Sequence, residues 1–543
     1  MKHSQQFQWL SWRRLELAFL GIYAVLFYAF AVKRSVDLSR DFSQGKQQAK
    51  LWGLQQGWIS EQLIDLSDSQ WRNFRGNLPV LTAVMAGFML LGFALGQGFS
   101  FSGKGRLHFW LLVSLIYVLY LHGACIIFIV AISLGNYAVV KCAGGTRLFP
   151  IALWSYNLAF LIGNRVYEGY SFASLGEHWA ILDEYRGAFR WHISFNMIML
   201  RMVSFGFDYH WAILPRPSTV DWEKHDANCH ICRSGSACYL ALQEKPLAKG
   251  IYNFLAYICY LLYAPLYIAG PIISFNSFTS QLVSPQKSYT RLQVAAYGVR
   301  WLACMLLMEF MTHYCYFNSF AVSKTWQILS PLDIFLVSYG VLNFMWLKFL
   351  LIWRFFRFWA LASGIEAPEN MPRCVNNCYD LEGFWRSWHA SYNRWLVRYL
   401  YVPLGGAQWR LLNVWIIFTF VALWHDLEWK LLSWAWVTCI LWVPELLAKT
   451  VMRLSWLQGF RKSVMYREVC AIAGALNITG LMTANLVGFV VGPSGMKSLS
   501  SQLLARQNTV VLFGILTSLY VGTKIMFHVR ERESYKKVKR TID

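Results

Sequence analysis

Charged residues are scarce in this chain. They make up 14% of its 543 residues, whereas soluble globular domains contain about 25%. Hydrophobic residues account for 56%, and the aromatic 17% includes 27 tryptophans, whose rings favour the interfaces of a lipid bilayer. This composition excludes an ordinary soluble enzyme and predicts an integral membrane protein with many membrane-spanning segments.

Acidic residues are the scarcer charged class, with 28 Asp and Glu against 50 Lys and Arg, which gives a formal net charge of +22. No nucleic-acid partner is expected, because the basic residues are scattered through the loops between apolar segments. Basic loops determine membrane topology and attract anionic lipid headgroups. The basic tail, with Lys536, Lys537, Lys539 and Arg540, predicts a cytosolic C-terminus.

The chain also lacks an internal repeat, a low-complexity segment and a disulfide framework. Matched broken helices in two repeated halves are typical of transporters, so the lack of a repeat argues against that class. Several cysteines lie inside apolar segments and are expected to behave as small hydrophobic residues. These cysteines are Cys125, Cys259, Cys304, Cys439 and Cys470.

Long apolar segments recur along the whole chain, and roughly ten to twelve of them approach the 20 residues of a membrane-spanning helix. They are residues 17–32, 78–96, 107–140, 151–163, 252–273, 295–312, 332–352, 411–424, 431–447, 469–491 and 510–527. Residues 107–140 are too long for one crossing and are predicted to form two helices around His122-Gly123. Some of the other segments are expected to be re-entrant.

The predicted fold class is therefore all-α and polytopic. We expect N-terminal transmembrane helices in residues 1–140. A core with interfacial and re-entrant segments is expected in residues 141–450, and C-terminal transmembrane helices with the basic tail in residues 451–543.

Two polar intervals, 143–249 and 366–410, are rich in aromatic residues and arginine, unlike disordered linkers, so they are expected to be ordered. Residues 190–209 predict a buried or re-entrant helix; alternatively, Arg201 and Asn196 line a polar route. The Gly270-Pro271 pair ends an apolar segment. It is either an ordinary helix end or a break that frees backbone carbonyls beside a cavity.

A loop between residues 221 and 239 contains His225, Cys229, Cys232 and Cys238. The Cys-x2-Cys spacing is that of zinc knuckles, but a single pair is only half of a site. Reduced thiols in a cytosolic loop are the simplest interpretation, and no metal is assigned. Zinc binding, completed by Cys238 and His225, and S-acylation are the alternatives.

Two histidines are the principal candidates for catalysis. His425 directly follows the apolar run 411–424, and His389 lies in the tract FWRSWHASYNRW at 384–395. Ionisable residues are costly at bilayer depth and usually face a functional cavity. A neutral imidazole is a competent general base near neutral pH, so His425 is suited to deprotonating a hydroxyl that attacks an ester or thioester. The alternative is a packed histidine bonded to a neighbouring helix.

The tract around His389 alternates arginines with tryptophans and predicts an amphipathic interfacial helix. Asn393 follows His389 by four residues and so shares its helix face. Guanidinium groups bind phosphate bidentately, which indicates a phosphate-bearing substrate, with lipid headgroups as the alternative. The predicted substrate-binding residues are Asn393, Arg386, Arg394, Arg398, Trp385 and Trp388.

Four further motifs accompany this tract: YAPLYIAGPIISFNSF at 263–278, WRFFR at 353–357, PENMPRC at 368–374 and RYLYVPLGG at 398–406. Together they resemble the membrane-bound O-acyltransferase (MBOAT) superfamily. The resemblance is to its glycerol-uptake (Gup) branch, which is related to the hedgehog acyltransferases. It implies a helical bundle around a membrane-crossing tunnel, which acyl-CoA enters from the cytosolic side and an acceptor from the other side.

The resemblance also implies residue roles. His425 matches the catalytic histidine, and His389 matches a second functional position that is His, Asn or Asp across the superfamily. Cys374 resembles a cysteine that ligates haem iron in hedgehog acyltransferases. The resemblance thus implies haem b as a candidate cofactor, and a free cysteine is the favoured alternative.

The reaction implied for the Gup branch is transfer of a long-chain acyl group from acyl-CoA to lyso-glycosylphosphatidylinositol (lyso-GPI) during anchor remodelling. The expected location is the endoplasmic reticulum membrane, in contact with membrane lipids. A protein acyltransferase of the hedgehog type and a polyol (glycerol) uptake transporter or regulator are the alternatives.

Overall fold

The structure is a computed structural model that describes residues 2–46, 49–59, 62–98, 103–215 and 220–542. Helices dominate these residues. Their only strands are β1 (Leu54–Gln56) and β2 (Leu63–Asp65), which pair antiparallel with Gln55 opposite Ile64. The predicted all-α class is confirmed.

The α-helices of the described residues are numbered in chain order. They are α1 (Lys2–Ser43), α2 (Ser69–Gly98), α3 (Gly103–His122), α4 (Ile126–Ala143), α5 (Phe149–Val166), α6 (Trp191–Ile213), α7 (Trp222–Asn228), α8 (His230–Arg233), α9 (Tyr239–Glu244), α10 (Phe254–Leu262), α11 (Ala264–Tyr267), α12 (Phe275–Val283), α13 (Arg291–Tyr314), α14 (Phe317–Val322), α15 (Pro331–Ala362), α16 (Leu381–Ser387), α17 (Ala390–Leu396), α18 (Arg410–His425), α19 (Trp429–Val451), α20 (Gln458–Arg461), α21 (Val464–Leu486), α22 (Gly492–Leu503) and α23 (Thr509–Ile542).

Nine helical segments in the described part of the chain are long and apolar enough to cross a membrane. They are Arg14–Ser43, Ser69–Ala94, Gly103–Ala143, Arg291–Tyr314, Pro331–Ala362, Gly406–His425, Trp429–Val451, Val464–Lys497 and Arg506–Lys536. The most apolar window of α15 is 72% buried inside the protein, whereas that of α1 is 11% buried. Helix α15 is therefore central, and α1 is peripheral.

The predicted division of residues 107–140 is confirmed. Helix α3 ends at His122, a 3-10 turn covers Gly123–Cys125, and α4 follows. Gly123 has a φ of +55°, and a Cβ atom here would lie 2.0 Å from the carbonyl oxygen of Tyr185. Only glycine fits this close approach, which lets the Ala124 N–H donate to that oxygen at 2.7 Å.

The apolar segment 252–273 is not a membrane-spanning helix, which corrects the sequence-based interpretation. It is divided into α10 and α11, with non-helical residues around Gly270-Pro271. The buried guanidinium of Arg201 donates to the carbonyl oxygens of Tyr260, Leu261 and Leu266 at 3.2, 2.7 and 2.5 Å. Because Arg201 provides hydrogen bonds that the interrupted helix lacks, this irregular backbone is tolerated inside the protein.

Arg201 belongs to α6, which is buried along most of its length. The prediction of a buried helix in residues 190–209 is thus confirmed. Segment 151–163 forms part of α5, which, within the described residues, is not among the nine candidate membrane spans.

Candidate active site

A cavity of about 1140 Å³ lies between helices from the beginning, middle and end of the chain. Its wall includes Tyr23 of α1, Trp353 of α15 and Val529 of α23. Ordinary ligand pockets measure about 300–1,000 Å³, so this one is large. Both predicted catalytic histidines, His389 and His425, line it.

His425 is the last residue of α18, and its backbone is held from a distant helix. Arg165 of α5 donates a hydrogen bond from Nη2 to the His425 carbonyl oxygen at 2.7 Å, and its Nη1 lies 3.6 Å from a carboxylate oxygen of Asp426. The imidazole ring packs edge-on against Trp434 and Phe489, with centroid distances of 6.3 and 6.2 Å. Trp434 and Phe489 also line the cavity, so the imidazole is flanked by aromatic rings in its wall.

His389 lies in the turn between α16 and α17 and has left-handed backbone angles, with φ of 47° and ψ of 49°. Such angles are uncommon outside glycine, although histidine is among the residues enriched there. Asn370 supports the turn, because its backbone carbonyl accepts from the Ala390 N–H and its side-chain Oδ1 accepts from the Ser391 N–H, both at 3.0 Å. Surrounding structure that over-determines a strained residue is typical of functional sites.

Ser391 joins three of the motifs. Its Oγ accepts a hydrogen bond from the Ile272 N–H at 2.8 Å, just after the Gly270-Pro271 break, and its own N–H donates to Asn370. The break, the PENMPRC motif and the tract of His389 therefore meet at one buried serine.

The two histidines are close neighbours in the cavity wall. The His389 ring stacks on the Trp353 ring, with a centroid distance of 4.3 Å. The Trp424 ring lies near both histidines, with centroid distances of 6.3 Å to His389 and 4.9 Å to His425. Burial, and secondarily repulsion from His425 when that ring is protonated, lower the pKa of His389 to about 3. His389 is therefore neutral at physiological pH and offers one ring N–H as a donor.

The predicted substrate-binding residues divide into two groups. Trp385, Trp388, Asn393 and Arg386 line the cavity. Arg386 is largely exposed and pairs with Glu382 at 2.6 Å.

Arg394 and Arg398 do not line the cavity in the described structure. Arg394 is exposed and lies 5.9 Å from the Tyr239 ring. Arg398 is buried, lies 3.2 Å from Asp208 and forms a second ion pair with Glu244. Because both carboxylates already pair with it, Arg398 has a structural role and is not available to bind a phosphate.

A group of charged residues, of which the sequence singled out only Arg386, lies at one end of the cavity. Arg410, Lys449 and Arg453 line it together with Arg386 and Glu382. Glu382 lies 3.1 Å from Lys449 and 3.8 Å from Arg410. The four-residue spacing of Glu382 and Arg386 indicates their ion pair from the sequence alone. The other three cations lie on α18, on α19 and just after α19, and no sequence motif connects them with Arg386.

Asn196 also lines the cavity, as expected if residues 190–209 border a polar route. The guanidinium of Arg201 instead donates hydrogen bonds to backbone carbonyls. Asn196 and Trp424 exchange two hydrogen bonds: the Asn196 Nδ2 donates to the Trp424 carbonyl at 2.6 Å, and the Trp424 Nε1 donates to the Asn196 carbonyl at 3.0 Å. This exchange fixes α6 against the end of α18, beside His425.

No described feature around Cys374 supports the haem that the resemblance implies there. Val375 and Cys378 line the cavity, but Cys374 is not among the described lining residues. No step of the mechanism is assigned to a haem.

The fold and the site define a class: a polytopic helical membrane protein with two histidines in one deep cavity. Residues 169–487 match the MBOAT, membrane-bound O-acyltransferase family, and the chain belongs to that family. It is thus an enzyme of the membrane-bound O-acyltransferase type.

Individual relatives support the predicted Gup branch. The chain is 36% identical to membrane-bound O-acyltransferase gup1 of Schizosaccharomyces pombe over 489 residues, which are 88% of this chain and 82% of the relative. It is 35% identical to GUP1 of Saccharomyces cerevisiae over 526 residues, 95% of this chain and 90% of the relative. Protein-cysteine N-palmitoyltransferase HHAT of Mus musculus is 27% identical over 292 residues, 51% of this chain and 58% of that protein.

Proposed function

We propose that this enzyme transfers a long-chain acyl group from acyl-CoA to a hydroxyl of a lipid acceptor, for which lyso-GPI is the favoured candidate. The observation that carries the proposal is the presence of His425 and His389 in the wall of one large cavity. A hydroxyl and a thioester held together in that cavity would react directly, without an acyl-enzyme intermediate.

In the proposed mechanism, His425 accepts the proton of the acceptor hydroxyl as its oxygen attacks the thioester carbonyl carbon. The ring N–H of neutral His389 donates to the carbonyl oxygen, on which negative charge develops. The carbon–sulfur bond then breaks, and the CoA thiolate takes the proton from the His425 imidazolium. The products are the ester and free CoA. General-base assistance of this kind contributes about 10²–10⁴ in rate.

The charged end of the cavity supports acyl-CoA as the donor. Arg386, Arg410, Lys449 and Arg453 line it there. The first three pair with Glu382, but their side chains are at least 43% exposed, unlike that of Arg398, and exposed guanidinium and ammonium groups bind phosphate oxygens. The aromatic wall that follows, with Trp385 and Trp388, suits the acyl chain.

An acceptor hydroxyl is preferred to a protein amine because the relatives with high identity and coverage are named O-acyltransferases, whereas the protein-cysteine N-palmitoyltransferase covers 51% of this chain. A polyol transporter or regulator is the second alternative, and the lack of a repeat argues against it.

The proposed location is the endoplasmic reticulum membrane, with a cytosolic C-terminus and with the acceptor entering from the opposite side. We retain 1–140, 141–450 and 451–543 as proposed regions of the chain. The two outer regions also contribute to the cavity wall, through Tyr23 and Val529, so all three are needed for one site.

The decisive experiment uses the purified protein in liposomes with labelled acyl-CoA and a panel of lyso-lipids, including lyso-GPI, and a peptide acceptor. We expect transfer to a lyso-lipid, and loss of it in His425→Ala. His178→Ala is the matched control, because His178 is exposed outside the cavity. Wild-type rates in His425→Ala would refute the mechanism, and saturable glycerol flux without any transfer would identify a transporter.

A further inference from the structure

The loop between α6 and α10 contains helices that apolar packing does not explain. Helices α7 and α8 have seven and four residues, and neither contains a buried residue. Isolated helices shorter than about 12 residues are marginal in water. Polar and cysteine side chains therefore contribute to holding this loop in its folded conformation.

Four potential metal ligands converge in the loop. His225 lies on α7, Cys229 lies between α7 and α8, Cys232 lies on α8, and Cys238 directly precedes α9. Their ligand atoms all lie within 4.8 Å of one another. The Nε2 atom of His225 is 3.3 Å from the Cys238 sulfur and 3.6 Å from the Cys232 sulfur.

These separations are close to those of a tetrahedral zinc site. With Zn–S bonds of about 2.3 Å and Zn–N bonds of about 2.05 Å, tetrahedral angles place sulfur about 3.8 Å from sulfur and about 3.6 Å from nitrogen. Three thiolates and one imidazole form a complete donor set for structural zinc, and soft sulfur ligands select zinc over magnesium or calcium.

We propose that His225, Cys229, Cys232 and Cys238 bind one Zn²⁺ ion in a closed structural site. This proposal departs from the reduced thiols favoured on the sequence, because the sequence did not show that Cys238 and His225 complete the pair. S-acylation suits the site less well, since Cys238 is buried.

The site connects to the enzyme through α9. Cys238 precedes this helix, and at its other end the Gln243 carbonyl accepts from Arg398 at 2.9 Å while Glu244 forms an ion pair with Arg398. Arg398 follows α17, the helix that begins after His389. The metal therefore anchors α9 against the polar contacts behind the site.

The test is the metal content of full-length protein purified in detergent without an affinity tag, measured by inductively coupled plasma mass spectrometry. We expect about one zinc per chain. The double variant Cys229→Ser/Cys232→Ser should lose it, and Cys142→Ser, which removes an exposed cysteine outside the cluster, should keep it. Less than a tenth of an equivalent in the wild type, or equal zinc in the double variant, would overturn the proposal.

A second measurement on wild-type protein does not depend on folding of the variant. Replacement of zinc by Co²⁺ should give the visible ligand-field bands of a four-coordinate ion and a thiolate charge-transfer band. A six-coordinate spectrum without thiolate bands, or cysteines in this loop that carry hydroxylamine-labile acyl groups, would also overturn the assignment.

Discussion

Arg165 donates a 2.7 Å hydrogen bond to the backbone carbonyl oxygen of His425. The two residues are 260 positions apart in the chain, and the bond joins the end of α5 to the end of α18. A carbonyl at the end of a helix has no partner within that helix. The guanidinium thus supplies the missing donor and fixes the backbone that carries the proposed base.

Substitution of Arg165 should therefore impair the chemical step. We expect Arg165→Leu to lower kcat by about 10²-fold, the effect of a misplacement of about 1 Å in a catalytic group. Arg165→Lys, which keeps a donor, should lose less. Steady-state kinetics would check this, and a change confined to the KM of acyl-CoA would contradict the positioning role.

The left-handed turn at His389 makes a prediction about side-chain type. Asparagine adopts these backbone angles readily and offers an N–H donor, whereas alanine pays about 1–2 kcal/mol for them and offers none. We expect His389→Ala to lower kcat by about 10²–10³-fold, and His389→Asn to lower it less. Equal rates in the two variants would show that His389 neither donates to the substrate nor requires its turn.

The depressed pKa of His389 predicts a pH dependence of stability. The folded protein holds this imidazole neutral down to about pH 3, whereas the unfolded chain takes up a proton near 6.5. Between these values the unfolded state binds more protons, so stability rises with pH. The melting temperature of the wild type should fall more steeply than that of His389→Gln on acidification from about pH 6.5 to about pH 4.5. Parallel curves would contradict this.

The cations at the charged end of the cavity should act on substrate binding. The double variant Arg410→Gln/Lys449→Gln is expected to raise the KM for acyl-CoA about tenfold at low salt, with a smaller effect at high salt because ions screen exposed charges. Lys430→Gln is the matched control, since Lys430 pairs with Glu428 at 2.7 Å and does not line the cavity. An unchanged KM in the double variant would place the CoA phosphates elsewhere.

Arg201 is predicted to be essential for the fold rather than for the reaction. Arg201→Leu removes the donor of three carbonyl oxygens around the interrupted helix, and each buried acceptor left without a partner costs about 1–3 kcal/mol. The yield of monodisperse protein should collapse, whereas Arg291→Leu, at an exposed position on α13, should have little effect. Normal yield and melting temperature in Arg201→Leu would contradict this account.

The helical framework was largely predictable because the length of an apolar segment limits what it can form. The division at Gly123 followed from a segment too long for one crossing. Residues 252–273 were misassigned because burial in protein and burial in lipid select the same apolar side chains. Only the contacts of Arg201 distinguish the two.

The site was predictable where chemistry is local and not where it depends on distant partners. His389 and His425 are identifiable because a histidine in an apolar context is unusual. The structural role of Arg398 could not be identified from the sequence, because its partner Asp208 lies 190 residues earlier in the chain. The completeness of the four-ligand cluster likewise depends on loop geometry that the spacing of Cys229 and Cys232 leaves open.

Tyr23 and Val529 line the same cavity, and the Tyr23 hydroxyl lies 2.8 Å from the Ser518 hydroxyl of α23. The wall is therefore complete only when both ends of the chain are in the membrane. A nascent chain that has inserted every helix except α23 carries both histidines but lacks one side of the cavity. During biosynthesis, then, activity should appear only once α23 has left the ribosome and entered the bilayer.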